Sequence, residues 1–276
     1  MTEDTAIHPF DSAIALTSLE TPHHYRGSSS PAYWNMVGPF GGTSAATALQ
    51  AVMQHPERLG EPIALTVNYA SALGEGPFTV EARPVRTNRS TQHWIVTISQ
   101  PESDGPVVTT ATVVTAVRRE TWSSHDTPMP AVKPPADTIR LGHKFEVEWV
   151  NRYEMRPLAG LIPEAWDGGG EGSESRLWVR DNPPRPLDFP SLAALADVFF
   201  PRVWLRRATR VPAGTVSMTV HFHADSQQLT GCGSGYLLGQ ARAQNFCNGF
   251  FDQTAQLWSE SGNLLATSSQ IVYYKE

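Results

Sequence analysis

The chain has 276 residues, 40% of them hydrophobic and 17% charged, and a formal net charge of -6. That is enough apolar material for one large core or two ordinary ones. The acidic balance excludes nucleic-acid binding as a main task, because phosphate binding needs a basic field. No apolar run reaches the length of about 18 residues that a membrane-spanning helix needs.

The opening stretch, MTEDTAIHPF, has no basic segment ahead of an apolar run, so no secretory signal is expected. Cys232 and Cys247 stand in no metal-ligating spacing. A cytoplasmic protein with reduced thiols is the expectation.

In chain order, an irregular segment ends in YWNMVGPFGG, and TSAATALQAVMQH (residues 43–55) follows as a predicted helix. Four predicted strands come next: PIALTVNYA, PFTVEARPV, TQHWIVTISQ and PVVTTATVVTAV. Each is rich in β-branched or aromatic residues, with turn residues between them. Residues 119–142, with four prolines, read as a linker. KFEVEWV (144–150) alternates apolar and charged residues and predicts a half-buried strand. EAWDGGGEGSES is a predicted surface loop and RLWVR a short strand.

The order then repeats. LDFPSLAALADVFFPRVWL (187–205) is a predicted helix, with Asp188 as N-cap and Pro190 in its first turn. Strands TVSMTVHFHA, SGYLLGQARA, FCNGFFDQTAQLW and NLLATSSQIVYY follow. The letters repeat too: LTVNYAS matches MTVHFHA, aligning Thr66 with Thr219, and DGPVVTTATVV matches SGNLLATSSQIV, aligning Gly105 with Gly262. Such self-similarity predicts a duplicated unit, each copy a helix covered by an antiparallel meander. The units are residues 1–118 and 143–276, joined by the linker 119–142.

The pieces GPFGGTSAATAL, LTVNYAS, SLAALADVFFP, GTVSMTVHFHA and GNLLATSSQ resemble the double-hotdog acyl-CoA thioesterases, the thioesterase II group. The resemblance implies an α+β double hotdog, two tandem units each of one helix wrapped by an antiparallel sheet. It implies hydrolysis of acyl-CoA to free acid and coenzyme A, with no metal and no cofactor beyond the coenzyme A of the substrate. A homodimer is the implied assembly. The family's water-activating carboxylate, threonine and glutamine match Asp197, Thr215 and Gln270. The family often continues its Phe-His pair with Arg-Pro, whereas FHADS carries Ala224 and Asp225 here.

The residues fit that chemistry on their own terms. Thioester hydrolysis needs a positioned water, a proton acceptor and oxyanion donors. Asp197 falls in an apolar helix, near the end where the macrodipole disfavours a negative charge. Exposure to solvent, pairing with Arg202 or Arg206, or capping a new turn that starts at Pro201 are its alternative explanations. Strict alternation turns Thr215 away from the helix with Ser217, Thr219 and His221, unless the strand bulges or Thr215 precedes it. The first half matches Pro62 to Thr215 and Val113 to Gln270, and has no acid between Gly41 and Pro56. One site per chain is expected. Gly41 and Gly42, opening the first helix, are candidate oxyanion donors through their backbone N–H groups. Arg202, Arg206, Arg207 and Arg210 are candidate phosphate contacts. His221 and His223 lack a third ligand for a metal. Two other readings compete. One is a non-catalytic acyl-CoA-binding protein of the same fold. More distant is a hotdog hydratase, for which the helix lacks a histidine.

Overall fold

The computed structural model describes residues 7–100, 105–142 and 146–276. The N-terminal segment, expected to be irregular, contains α1 (Pro9–Ala13) and two strands, β1 (Thr17–Ser18) and β2 (His24–Ser28). β2 alternates buried and exposed residues and its few polar letters hid it. Helix α2 spans Gly41–Met53 and the four predicted strands follow as β3 (Glu61–Tyr69), β4 (Pro77–Thr87), β5 (Thr91–Ser99) and β6 (Val107–Ala116). They are not the simple meander expected: β4, β5 and β6 pair in order, but β3 pairs with β6 and not with β4. Nearly every α2 side chain is buried. A helix rich in alanine that is covered all round belongs inside a core.

The second half departs more from expectation. Of the predicted strand 144–150, residues 144 and 145 lie outside the described residues. The rest leads into a 3₁₀ turn, Glu148–Arg152. Trp149 and Val150 are buried from that turn, and Trp149 stacks on Phe40 at 4.2 Å. The alternation thus reflected two core anchors on a turn, and the strand begins only afterwards. It is β7 (Tyr153–Ala159), followed by β8 (Ser175–Asp181).

The predicted helix 187–205 is two helices, α3 (Phe189–Leu195) and α4 (Arg202–Arg207). Asp188 caps α3 as expected, accepting from the Ser191 N–H at 2.8 Å. The break has a steric cause: in a continuous helix the ring of Pro201 would meet the carbonyl four residues back, that of Asp197. Asp197 therefore sits in the turn after α3 and not within a helix.

Strand β9 spans Ala213–Phe222. An unforeseen helix, α5 (Ser226–Cys232), follows under a capping box between Asp225 and Gln228. Strand β10 is Leu237–Arg242. The single strand expected over 246–258 is a hairpin, β11 (Phe246–Cys247) and β12 (Phe250–Ser259), turned by Asn248 and Gly249, both at positive φ. The last strand is β13 (Leu264–Tyr274).

All strands described join one sheet, ordered β1-β2-β4-β5-β6-β3-β9-β13-β12-β10-β8-β7, with β11 paired to β12. The halves meet where β3 pairs antiparallel with β9, and Thr66 lies directly opposite Thr219. Their hydroxyls are 2.9 Å apart. Equivalent residues face each other in an antiparallel pair only where a local two-fold axis passes between them, so the sequence repeat is a spatial one. The helices α2 and α3 pack together inside the curve of this sheet, and one core runs through both halves. Their approach requires a glycine: a Cβ on Gly42 would lie 2.7 Å from the Ala194 carbonyl oxygen.

Candidate active site

The polar cluster forms where α3 ends against the inner face of β13. Two alternate residues of that face hold the turn. Ser268 donates to the Ala196 carbonyl at 3.3 Å, and Gln270 donates through Nε2 to Asp197 Oδ1 at 2.8 Å. Behind the turn, Arg202 is fully buried and donates to the Phe200 carbonyl, the Ser173 carbonyl and Ser175 Oγ. It has no carboxylate partner among the described residues, and burial pushes it down to about 9. Arg202 is therefore a brace for the turn. It is not available to a phosphate, nor does it or Arg206 pair with Asp197.

Thr215 reaches the cluster through a bulge. On β9, Ser217 lies opposite Ile271 but Thr215 lies opposite Val272, so Val216 is the extra residue. Val216 turns outward, 38% exposed, against the alternation that placed it beside the helix. Thr215 gains the inner face and donates to Gln270 Oε1 at 3.1 Å. The two-fold repeats this device: β3 shifts register between Pro62 and Ala64. There the inner position is Pro62, which has no side-chain donor.

The expected trio is thus one chain of hydrogen bonds, Thr215 to Gln270 to Asp197. Burial pushes the Asp197 carboxyl up to about 7, while bonds from Gln270 and the Gly42 backbone N–H pull it back. Burial pushes the Tyr69 phenol up, and the charge of Asp197 adds to the rise. Tyr69 donates to the Gly41 carbonyl at 2.9 Å. The Gly41–Gly42 peptide is therefore held from one side by Tyr69 while its N–H faces the carboxylate. Gly41 admits no side chain, since a Cβ there would lie 2.9 Å from Asp197 Oδ2.

These groups open into a cleft of about 410 Å³ lined by both halves. Phe40, Trp149, Phe199, Phe251 and Val272 supply apolar wall. No lysine, arginine or histidine lines it among the described residues. His221 is exposed, His223 contacts Thr267 Oγ1 at 3.1 Å, and neither lines the cleft. Among the described residues no three groups are placed to hold a metal ion.

Sequence reasoning missed Tyr69, Ser268 and Gln253. The signal for Gln253 was present in FFDQTAQLW: its inner-face set, Phe251, Gln253, Ala255 and Leu257, has one polar member.

Two helices inside one pseudo-symmetric antiparallel sheet, with a polar cluster in one half only, define a double-hotdog protein. Family models agree: residues 30–116 match the acyl-CoA thioesterase N-terminal domain and residues 123–274 the C-terminal domain, and the chain belongs to this family. Among solved structures, a hot dog fold protein of unknown function from Alicyclobacillus acidocaldarius is 48% identical over 98% of both chains, with a TM-score of 0.90. The acyl-CoA thioesterase II TesB2 of Mycobacterium marinum shares the fold at 18% identity, covering 96% of this chain and 98% of its own, with a TM-score of 0.75. The tesB protein of Mycobacterium avium subs paratuberculosis does so at 16% identity, 97% and 98% coverage and a TM-score of 0.77. No curated protein sequence matches the chain.

Proposed function

We propose that the protein hydrolyses acyl-CoA thioesters at this cluster. The observation that carries the reading is the Asp197 carboxylate, held by Gln270 inside an acyl-sized apolar cleft and pushed up to about 7. A base with that affinity for a proton is poised for work near neutral pH.

In this reading a water lies between Asp197 and the Thr215 hydroxyl, whose lone pairs accept from it while its own proton goes to Gln270. Asp197 takes one proton as the water oxygen adds to the thioester carbonyl carbon. The Gly42 N–H, released from a carboxylate that has become neutral, turns to the new oxyanion. The carbon–sulfur bond then breaks and Asp197 returns the proton to the thiolate. Water adds, one acid and one thiol leave, and no metal or further cofactor is needed.

The cleft takes the acyl chain and thioester. With no cation lining it among the described residues, the nucleotide phosphates are placed outside it in this reading. Arg206 and Arg210 are exposed and remain candidates to meet them. A cytoplasmic homodimer completes the proposal. The free Cys232 and Cys247 support a reducing compartment. The outward Val216, Phe250, Ile271 and Tyr273 support a partner subunit. No helix is long and apolar enough to cross a membrane among the described residues.

Thiol release from short- to long-chain acyl-CoAs tests the reading. The wild type should turn over at least one chain length, and Asp197→Asn should lower kcat about 100-fold or more. Full activity in Asp197→Asn would remove its basis. Tight acyl-CoA binding by the wild type without turnover would instead establish the non-catalytic binder.

A further inference from the structure

At the opposite end of the α2–α3 pair lies a second hollow, a groove of about 550 Å³. The two-fold that sets Thr66 opposite Thr219 relates it to the cleft around Asp197. The cleft is built from the start of α2, the end of α3 and the first residues of β9. The groove is built from the start of α3, the end of α2 and the first residues of β3. Gly60 and Glu61 stand in it where Ala213 and Gly214 stand in the cleft, and Ser226 stands where Leu73 does. The fold therefore makes a ligand-sized hollow twice. The contents differ. Pro62 and Val113 take the places of Thr215 and Gln270, and α2 has no acid between Gly41 and Pro56. Without a base or a held water, an occupant of the groove is bound and not hydrolysed.

What the groove has instead is a cation. Arg58 donates through Nε to the Met53 carbonyl at 3.1 Å and through a second nitrogen to the Gly60 carbonyl. Its third nitrogen has no partner among the described residues, and no carboxylate among them pairs with it. Two backbone carbonyls thus fix the guanidinium at the groove without neutralising it. The two acids that share the groove are already engaged. Glu61 pairs with Arg118 at 3.4 Å, and Asp188 accepts from Arg185 at both oxygens while it caps α3. Met53, Leu187, Phe189 and Leu229 give the groove apolar wall.

We propose that this groove is a second binding site and that it holds an aliphatic monocarboxylate, a short- or medium-chain fatty acid, with its head group on Arg58. A guanidinium receives a carboxylate through charge-assisted bonds, and the apolar wall covers the tail. One cation balances one negative charge. A phosphate carrying two would meet Glu61 and Asp188 with the second uncompensated. A neutral lipid would leave the cation without a counter-charge. The site does not rest on the thioesterase reading. Where that reading holds, the acid released at the cleft is of the class that the groove takes.

Calorimetric titration with sodium octanoate tests the proposal, with octan-1-ol as the uncharged control. The wild type should bind octanoate about tenfold or more tighter than the alcohol. Arg58→Gln should remove most of that difference, lowering octanoate affinity about tenfold or more, while Arg58→Lys keeps part of it. Thr230 and Ser71 are exposed residues on the walls of the groove and of the cleft respectively. Thr230→Trp, which fills the groove, should remove one equivalent of bound octanoate, and it carries the test if the Arg58 variants fail to fold. Ser71→Trp, which narrows the cleft, should leave that equivalent in place. No binding by the wild type, equal binding of acid and alcohol, or an unchanged affinity in Arg58→Gln overturns the proposal. So does an unchanged stoichiometry in Thr230→Trp, which would put the octanoate in the cleft alone. None of these readouts uses turnover, so the thioesterase reading stands or falls separately.

Discussion

Asp197 is where burial and charge conflict most directly. A carboxyl held up to about 7 in the native state and near 3.8 when unfolded makes stability depend on pH. Between those values the unfolded chain has released the proton and the native chain has kept it, so stability falls as pH rises. Asp197→Asn removes that dependence. The variant should unfold at higher denaturant than the wild type at pH 8, by about 2 kcal/mol, with the difference vanishing below pH about 4. That figure is smaller than the full conversion of the shift, because the carboxylate touches solvent in the cleft. Asp181, pushed up to about 6 by burial, adds a slope of the same sign in both proteins. Burial pushes Glu154 up, but bonds from Tyr236, Arg180 and Arg156 outweigh it and hold the carboxyl down to about 2, so its contribution has the opposite sign and is lost as pH falls from about 4.5 to about 2. Asp197 was legible as an anomaly in an apolar stretch. Gln253 was an anomaly of the same kind and went unread, because a polar letter in a strand is ordinary until its face is known.

At the level of elements, the β9 bulge decides whether the cluster exists. In a strand without the bulge, strict alternation would put Val216 on the inner face and Thr215 outside, away from Gln270. Deleting Val216 removes the bulge but leaves Thr215 beside Ser217, opposite Val272 and still on the inner face. The deletion should therefore keep the circular dichroism of the fold and a kcat within about threefold of the wild type, while Thr215→Val in the intact strand lowers kcat about tenfold or more. A deletion variant as slow as Thr215→Val would contradict this account of the bulge. The sequence allowed for a bulge and could not choose it, since an inward valine in a regular strand and an outward one at a bulge are written alike. The break of the long helix was the reverse case. Pro201 stood in plain view, and its clash with the Asp197 carbonyl was enough to end the helix, yet the apolar run on both sides read as continuous. The Glu148–Arg152 turn imitated a strand for a similar reason: two buried anchors at short spacing produce alternation without extended backbone.

Across the whole molecule, duplication was the most legible feature. Four strands after each helix, and the alignment of Thr66 with Thr219, anticipated a sheet whose halves pair on a two-fold axis. The β1–β2 addition and α5 were hidden because short polar elements carry little periodicity. The shared core makes the halves interdependent: α2 and α3 bury each other, and β3 and β9 satisfy each other's backbone. Urea unfolding followed by tryptophan fluorescence and by far-ultraviolet circular dichroism should therefore give coincident transitions. Two separated transitions would contradict a single cooperative unit. The same two-fold leaves Pro62 and Val113 where Thr215 and Gln270 stand, so one polar site per chain follows from the asymmetry of the copies.

The most direct test of the central claim is the pH dependence of acyl-CoA hydrolysis by wild type and Asp197→Asn, followed by thiol release from pH 5 to 9. Asp197 as the base predicts that wild-type kcat/KM rises with pH through about 7 and then levels, while Asp197→Asn stays low and flat across the range. An Asp197→Asn profile that keeps both the wild-type rate and its rise would place the base elsewhere and contradict the account.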